Sequence, residues 1–238
     1  MLIQNRGNEQ KGISIKGLKK SFRTGTVCTE VLRGLDLEMA PGAFYAIMGS
    51  SGCGKSTLLN ILCGLERADE GICTVNGNQI QQMKPQELAC YRNREIGIVF
   101  QGFYLDETRN LIDNVSMPCG YAGIPAKERK QRAKYLLETF GLAEQQKKRP
   151  SQISGGQQQR AAIARALINR PGILFADEPT GNLDEENTKL VMQLFAKLHR
   201  DGMGILLVTH DAAVASYAQK ILIMEEGRIR EAVKTKTE

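Results

Sequence analysis

The chain has 238 residues, 42% of them hydrophobic and 24% charged, with 32 Lys and Arg against 26 Asp and Glu for a net charge of +6. Such proportions suit a soluble globular protein that can bury a substantial core, as one large α/β domain or a core with a small insertion. No run approaches about 18 consecutive apolar residues, and Met1-Leu2-Ile3-Gln4-Asn5-Arg6 lacks the apolar stretch of a secretory leader, so neither a spanning helix nor a cleaved signal is expected.

Ile13, Ile15 and Leu18 begin an alternating pattern that Val31, Leu32, Leu35, Leu37 and Met39 continue to the turn Pro41-Gly42, which predicts antiparallel β structure. Residues 43–48 form an apolar run that stops at Gly49. There the segment Gly49-Ser50-Ser51-Gly52-Cys53-Gly54-Lys55-Ser56-Thr57 fits G-x-x-x-x-G-K-[ST]. Glycines in this pattern let backbone N–H groups close around phosphate oxygens, the lysine supplies charge, and the hydroxyl of Ser56 suits Mg²⁺. Residues 57–62 then read as a helix whose N-terminal dipole also faces the phosphates. Further short apolar runs at 96–100, 173–176, 205–208 and 221–224 suit strands buried on both faces of a parallel sheet.

Between these runs lie helices. Ala133, Leu136, Leu137 and Phe140 follow helical spacing, with Gly141 as terminator, and Val191, Leu194, Phe195 and Leu198 repeat it, closed by Gly202. Ser154-Gly155-Gly156-Gln157-Gln158 opens an alanine-rich helix that ends before Pro171. Residues 231–238 read as a polar, frayed tail.

The polar residues that follow the strands carry the chemistry. Gly49, Gln101, the pair Asp177-Glu178 and Thr209-His210 each follow an apolar run, and in an open α/β sheet ligands bind beyond the carboxyl ends of the strands. Asp177 is the carboxylate expected to hold Mg²⁺ opposite Ser56. Glu178, one residue further, can deprotonate an attacking water. Gln101 can touch both the Mg²⁺ and that water, and His210 can bond the γ-phosphate. The small residues at 154–156 make a second helix N-terminal anion site. One triphosphate needs only one such loop, so the second makes sense if it serves nucleotide held by another subunit, in a two-fold dimer around two ATP molecules.

On these residues the chain resembles the ATPase subunits of ABC transporters over 12–230. Walker A corresponds to 49–57, the Q-loop to Gln101, the signature to Ser154, Gly155, Gly156, Gln157 and Gln158, and Walker B to 173–177, followed by the catalytic Glu178. The D-loop corresponds to Asn182-Leu183-Asp184 and the switch histidine to His210. The resemblance makes Phe22 the aromatic that stacks on adenine. Ile153 replaces the family's usual leucine before the signature, a volume-conserving change. The implied fold is an α/β P-loop NTPase with a RecA-like parallel core (12–101 and 157–230), an N-terminal antiparallel β subdomain and an inserted helical subdomain (102–156). The implied cofactors are ATP and Mg²⁺. The implied partners are a second copy of the chain and an integral-membrane permease, at the cytoplasmic face of the membrane.

A narrower likeness lies in residues 149–160 and 176–184, which are similar to the lipoprotein-release, macrolide-exporter and antimicrobial-peptide-resistance subgroup. Residues 107–112 depart from that subgroup's pattern where a permease would dock. Phe103, Tyr104 and Leu105, with Leu111 and Ile112 nearby, are expected to supply exposed apolar anchors, flanked by Asp106 and Glu107. An importer ATPase remains the alternative within transporters. A soluble ABC-type ATPase acting on nucleic acid would call for two cassettes or a coiled-coil insertion, and a P-loop kinase would not explain the serine-glycine segment or Glu178.

Six cysteines form no C-x-x-C pair and only two histidines are present, so no zinc site is expected and the thiols read as reduced. Residues 119–150 carry eight Lys and Arg against three Glu. Such a patch suits a solvated helix face better than a nucleic-acid or lipid surface, and no stable nucleic-acid partner is expected.

Overall fold

The computed structural model describes residues 12–232. Met1 to Arg6 and the polar tail beyond Ala232 lie outside the described residues. Strands β1 (Ile13–Thr24) and β2 (Val27–Met39) pair antiparallel, Ile13 opposite Met39 and Thr24 opposite Val27. The chain then enters β3 (Phe44–Met48), turns through the glycine loop and forms α1 (Lys55–Leu62). Next come β4 (Glu70–Val75), β5 (Asn78–Gln79), α2 (Pro85–Arg94) and β6 (Ile96–Val99). Helices α3 (Leu111–Tyr121), α4 (Ala126–Thr139) and α5 (Gly155–Leu167) lead to β7 (Ile173–Asp177) and α6 (Glu185–Arg200). The last elements are β8 (Gly204–Val208), α7 (Ala212–Ala215), β9 (Lys220–Glu225) and β10 (Arg228–Glu231).

Two sheets result. A four-stranded antiparallel sheet runs β2-β1-β4-β5, and a six-stranded sheet runs β10-β9-β3-β8-β7-β6 with only the β9–β10 pair antiparallel. The apolar runs occupy the five parallel strands, and their residues alternate between two cores. Leu174, Ala176, Ile205 and Leu207 face the layer of α3, α4, α5 and α6. Ile173, Phe175, Leu206 and Val208 face α1 and the antiparallel sheet. Burial on both faces removes the polar half of the usual strand alternation, which is why these strands read as unbroken apolar runs.

Several elements left no pattern in the sequence. β4 buries Cys73 and Val75 but leaves Ile72 49% exposed, so no apolar run marks it. α2 buries only Tyr91, and α3 carries Pro118 inside its last turn. β10 is an edge strand that takes in the first residue of the expected tail: Glu231 pairs with Leu222 in the sheet and makes an ion pair with Lys220. Another finding bears on the expected division at 156/157, because α5 runs unbroken across it.

Candidate functional site

Helix α1 starts differently from an ordinary helix. Its N-cap is Gly54 at φ 110°, a left-handed conformation that a Cβ would strain, and no side chain caps the first turn. Its leading N–H groups are thus left for a ligand. Lys55, only 8% exposed, donates from Nζ to the carbonyls of Gly49 and Ser50, each at 2.8 Å. Bonded to two loop carbonyls, the ammonium holds the loop together while remaining beside the space that a phosphate would fill.

Opposite α1, β7 delivers Asp177 at its last position. Burial raises the Asp177 pKa, with the Glu178 charge adding to the rise, while a hydrogen bond from Ser56 and the charge of Lys55 oppose it. Its Oδ1 is buried and has no hydrogen-bond partner. A buried, unpartnered carboxylate oxygen beside a serine hydroxyl is a donor set that suits a hard divalent cation, so Ser56 and Asp177 fit Mg²⁺. Gln101 also borders this space, 2.8 Å from where a Cβ on Gly181 would sit, and its carbonyl accepts from Asn182 Nδ2 at 3.1 Å.

Glu178 sits at φ 46°, in the left-handed region, although it is not glycine. Its N–H donates to Val208 O at 2.9 Å and its carbonyl accepts from Gly181 N at 3.1 Å, so the flanking backbone enforces the strained angle. The side chain then lies 2.8 Å from His210 Nδ1. His210 is largely exposed whereas Glu178 is not, so the pair stands at the wall of the site with the carboxylate inside.

These groups share one cavity of about 700 Å³. Phe22, Ser51, Gly52, Gly54, Lys55, Ser56, Thr57, Gln101, Asp177, Glu178 and His210 line it, joined by Val31, which the sequence reading missed because it looked like one more strand residue. Gly49, Ser50 and Cys53 belong to the loop without lining that space. Cys53 turns inward, its Sγ 3.8 Å from Lys55 Nζ and 2.8 Å from a Cβ placed on Gly49.

The segment at 154–158 is absent from the cavity lining. Ser154 caps α5, accepting from Gln157 N at 3.3 Å, while Gln157 Oε1 accepts from Ser154 N at 3.0 Å. Gln158 Nε2 donates to the Pro150 carbonyl at 3.1 Å and so braces its own loop. Gly156 is required for a different reason: a Cβ there would fall 2.0 Å from Asn187 Oδ1. Asn187 is in turn bonded to both carboxylate oxygens of Asp184, at 2.9 and 3.0 Å, and receives Arg160 Nη1 at 3.3 Å. Leu183 packs on the core, and Asp184 caps α6 by accepting from Asn187 N at 2.8 Å. Gln159, fully buried, donates to the Pro179 carbonyl. Asn187 and Gln159 thus tie α5 to the stretch after Glu178, a role for which their sequence spacing gave no signal.

The expected apolar anchors are corrected in part. Leu111 and Ile112 are buried at 0% and 9% exposure, in the core rather than on a surface, because they begin the inward face of α3. Phe103 and Leu105 are half-buried, and Tyr104 is 73% exposed. Asp106 accepts from Thr108 and pairs with Arg109, and Glu107 Oε2 accepts from Ser151 N at 3.0 Å, so both carboxylates hold local structure. Among the described residues no cluster of His, Cys, Asp and Glu forms a metal site, and no helix is long and apolar enough to cross a membrane.

A parallel sheet with a glycine phosphate loop after β3 and an acidic pair after β7 defines an α/β P-loop nucleotide-binding fold. The family model described as ABC transporter matches residues 32–181, and the chain belongs to that family. It is 46% identical over 217 residues, 91% of its length, to a macrolide export ATP-binding/permease protein of Wolinella succinogenes, and spans only 34% of that relative. It is 44% identical over 220 residues to an uncharacterized ABC transporter ATP-binding protein of Thermotoga maritima, covering 92% of this chain and 94% of the relative. Among solved structures, a dimeric ATP-binding cassette in a post-hydrolysis state bound to ADP and Pi superposes with a TM-score of 0.86 at 36% identity, covering 92% of this chain and 97% of that one.

Proposed function

We propose that this cassette works as a dimer that closes around two ATP molecules and drives an integral-membrane permease from the cytoplasmic face, for export, extraction or resistance to peptides, lipoproteins or drugs. The observation that carries the dimer is the split between the cavity and the serine-glycine segment. One chain brings the phosphate loop, Asp177, Glu178, Gln101 and His210 together, but residues 154–158 lie outside that space. A second copy supplies them to the far side of the nucleotide, as the dimeric form of the cassette described above suggests for this chain. The permease reading rests on the export relatives, whose names join ATP-binding and permease functions in chains of which this one spans about a third.

Within each site the residues divide the work. Lys55 and the N–H groups of α1 bind the triphosphate, and Phe22 stacks on the base. Ser56 and Asp177, with Gln101, would hold Mg²⁺, which would neutralise negative charge on the triphosphate. Glu178 takes the proton of the attacking water through its carboxylate. His210, hydrogen-bonded to that carboxylate, orients it and reaches toward the γ-phosphate. Asn182 holds the Gln101 backbone, and Leu183 and Asp184 set the start of α6. A nucleotide-binding core and a helical subdomain make up the cassette, with α5 spanning both.

Glu178→Gln tests the assignment. It should keep ATP affinity while turnover falls by roughly 10²–10⁴-fold, leaving an ATP-bound dimer that gel filtration separates from monomer. Hydrolysis at the wild-type rate would assign the base elsewhere.

A further inference from the structure

We propose that Lys20 is a positioning residue for the nucleotide base: its ammonium holds one face of the Phe22 ring so that the other face is offered to adenine. The inference rests on the reading of Phe22 as the stacking residue and adds what places that ring.

Lys20 and Phe22 stand two apart on β1, and the Lys20 Nζ lies 5.0 Å from the ring centroid. A cation at that distance over an aromatic face is attracted by the ring quadrupole. The two residues differ in exposure. Phe22 is 39% exposed and lines the cavity with Lys55 and Ser56, whereas Lys20 is 8% exposed and does not line it. The ammonium therefore approaches the ring from the protein side.

Lys20 is itself fixed. Glu66 Oε1 lies 2.8 Å from its Nζ and Asp69 Oδ1 lies 3.4 Å away. Desolvation favours loss of the proton, but the hydrogen bonds and charges of Glu66 and Asp69 outweigh it, and the Lys20 pKa is raised. Asp69 also accepts from the Ser21 N–H at 2.6 Å, through its other oxygen. Residues 20 and 21 are thus fastened to the loop that follows α1, the helix whose first residue is Lys55. The base platform and the phosphate loop are tied to opposite ends of one short helix.

Two effects follow for binding. A ring held beforehand does not have to be ordered when the base arrives, so less of the stacking energy is lost to side-chain entropy. A cation on one face also draws π density toward itself, which suits the open face to an electron-rich purine. Both effects act on ligands that carry a base and on no others.

That selectivity is the test. Calorimetric titration of the whole chain with ADP and with inorganic tripolyphosphate separates base recognition from phosphate binding. Lys20→Met should weaken ADP by roughly two- to fivefold, leave tripolyphosphate unchanged, and be rescued by Lys20→Arg. Phe22→Ala should weaken ADP by more, and adding Lys20→Met to it should cost nothing further. Lys20→Gln replaces the methionine variant if that one does not fold. Equal loss for both ligands, unchanged ADP affinity, or additive losses in the double variant would each overturn the proposal. Unchanged ADP affinity in Phe22→Ala would overturn the reading of Phe22 itself, and the proposal with it.

Discussion

Helices α1 and α5 both begin in short segments of serine and glycine, yet their first turns are satisfied in opposite ways. α1 is capped by Gly54 with no side-chain acceptor, and its N-terminus faces the large cavity. α5 is closed by the reciprocal bonds of Ser154 and Gln157, and its second residue, Gly156, is pressed against Asn187. The first helix keeps its donors open and has a lysine at its mouth, so one chain can hold a triphosphate there. The second has already used part of its donor capacity on itself, which fits the proposed role of adding to a nucleotide held by the other copy. Similar composition therefore leaves the helix donors open at one place and satisfies part of them at the other.

The largest expected effect breaks the primary site. Lys55→Ala removes a charge-assisted contact and leaves the Gly49 and Ser50 carbonyls without the ammonium that now bridges them. ATP affinity should fall by at least about 100-fold, measured by equilibrium binding to the monomer. Unchanged affinity would remove the distinction between the two helix starts.

An intermediate effect sharpens the comparison from the other side. Gly156→Ala places a methyl group against Asn187 and should reduce turnover by about tenfold or more, while ADP binding to the monomer stays within about twofold of wild type. Loss of ADP binding in that variant would mean that α5 belongs to the primary site after all. The smallest effect is expected for Ser154→Ala in the absence of nucleotide. Losing the cap costs about 1 kcal/mol, a drop in Tm of about 2–4 °C for a chain of this size. No shift would show that the reciprocal bonds contribute nothing to α5.

The parallel strands were legible because each is buried on both faces, and Asp177 and Glu178 could be placed because they end and directly follow β7. Gly54 and Lys55 lie six and seven residues beyond β3 and were placed by the glycine-lysine pattern instead. Leu111 and Ile112 could not, because an apolar pair near a loop looks the same whether it starts a buried helix face or decorates a surface. α3 was hidden further by Pro118, and β4 by its exposed Ile72. Lys20 carried no signal at all. A lysine in a strand reads as a solvated edge residue until the carboxylates of a distant loop are seen to close on it.

The continuity of α5 has a consequence for building hybrid cassettes. Exchanging residues 102–156 between relatives would cut α5 after its second residue, separating the Ser154 cap from the turns that Ala161, Ile163 and Ala164 bury in the core. The same cut would join a foreign Gly155-Gly156 to the resident Gln159, Arg160 and Asn187, which have to match it in shape. A graft that extends through Leu167 moves the helix whole, but it also imports the side chains that meet Pro179 and Asn187. In practical terms the transferable unit of this fold is not the inserted segment alone, but that segment together with the stretch from Pro179 to Asn187.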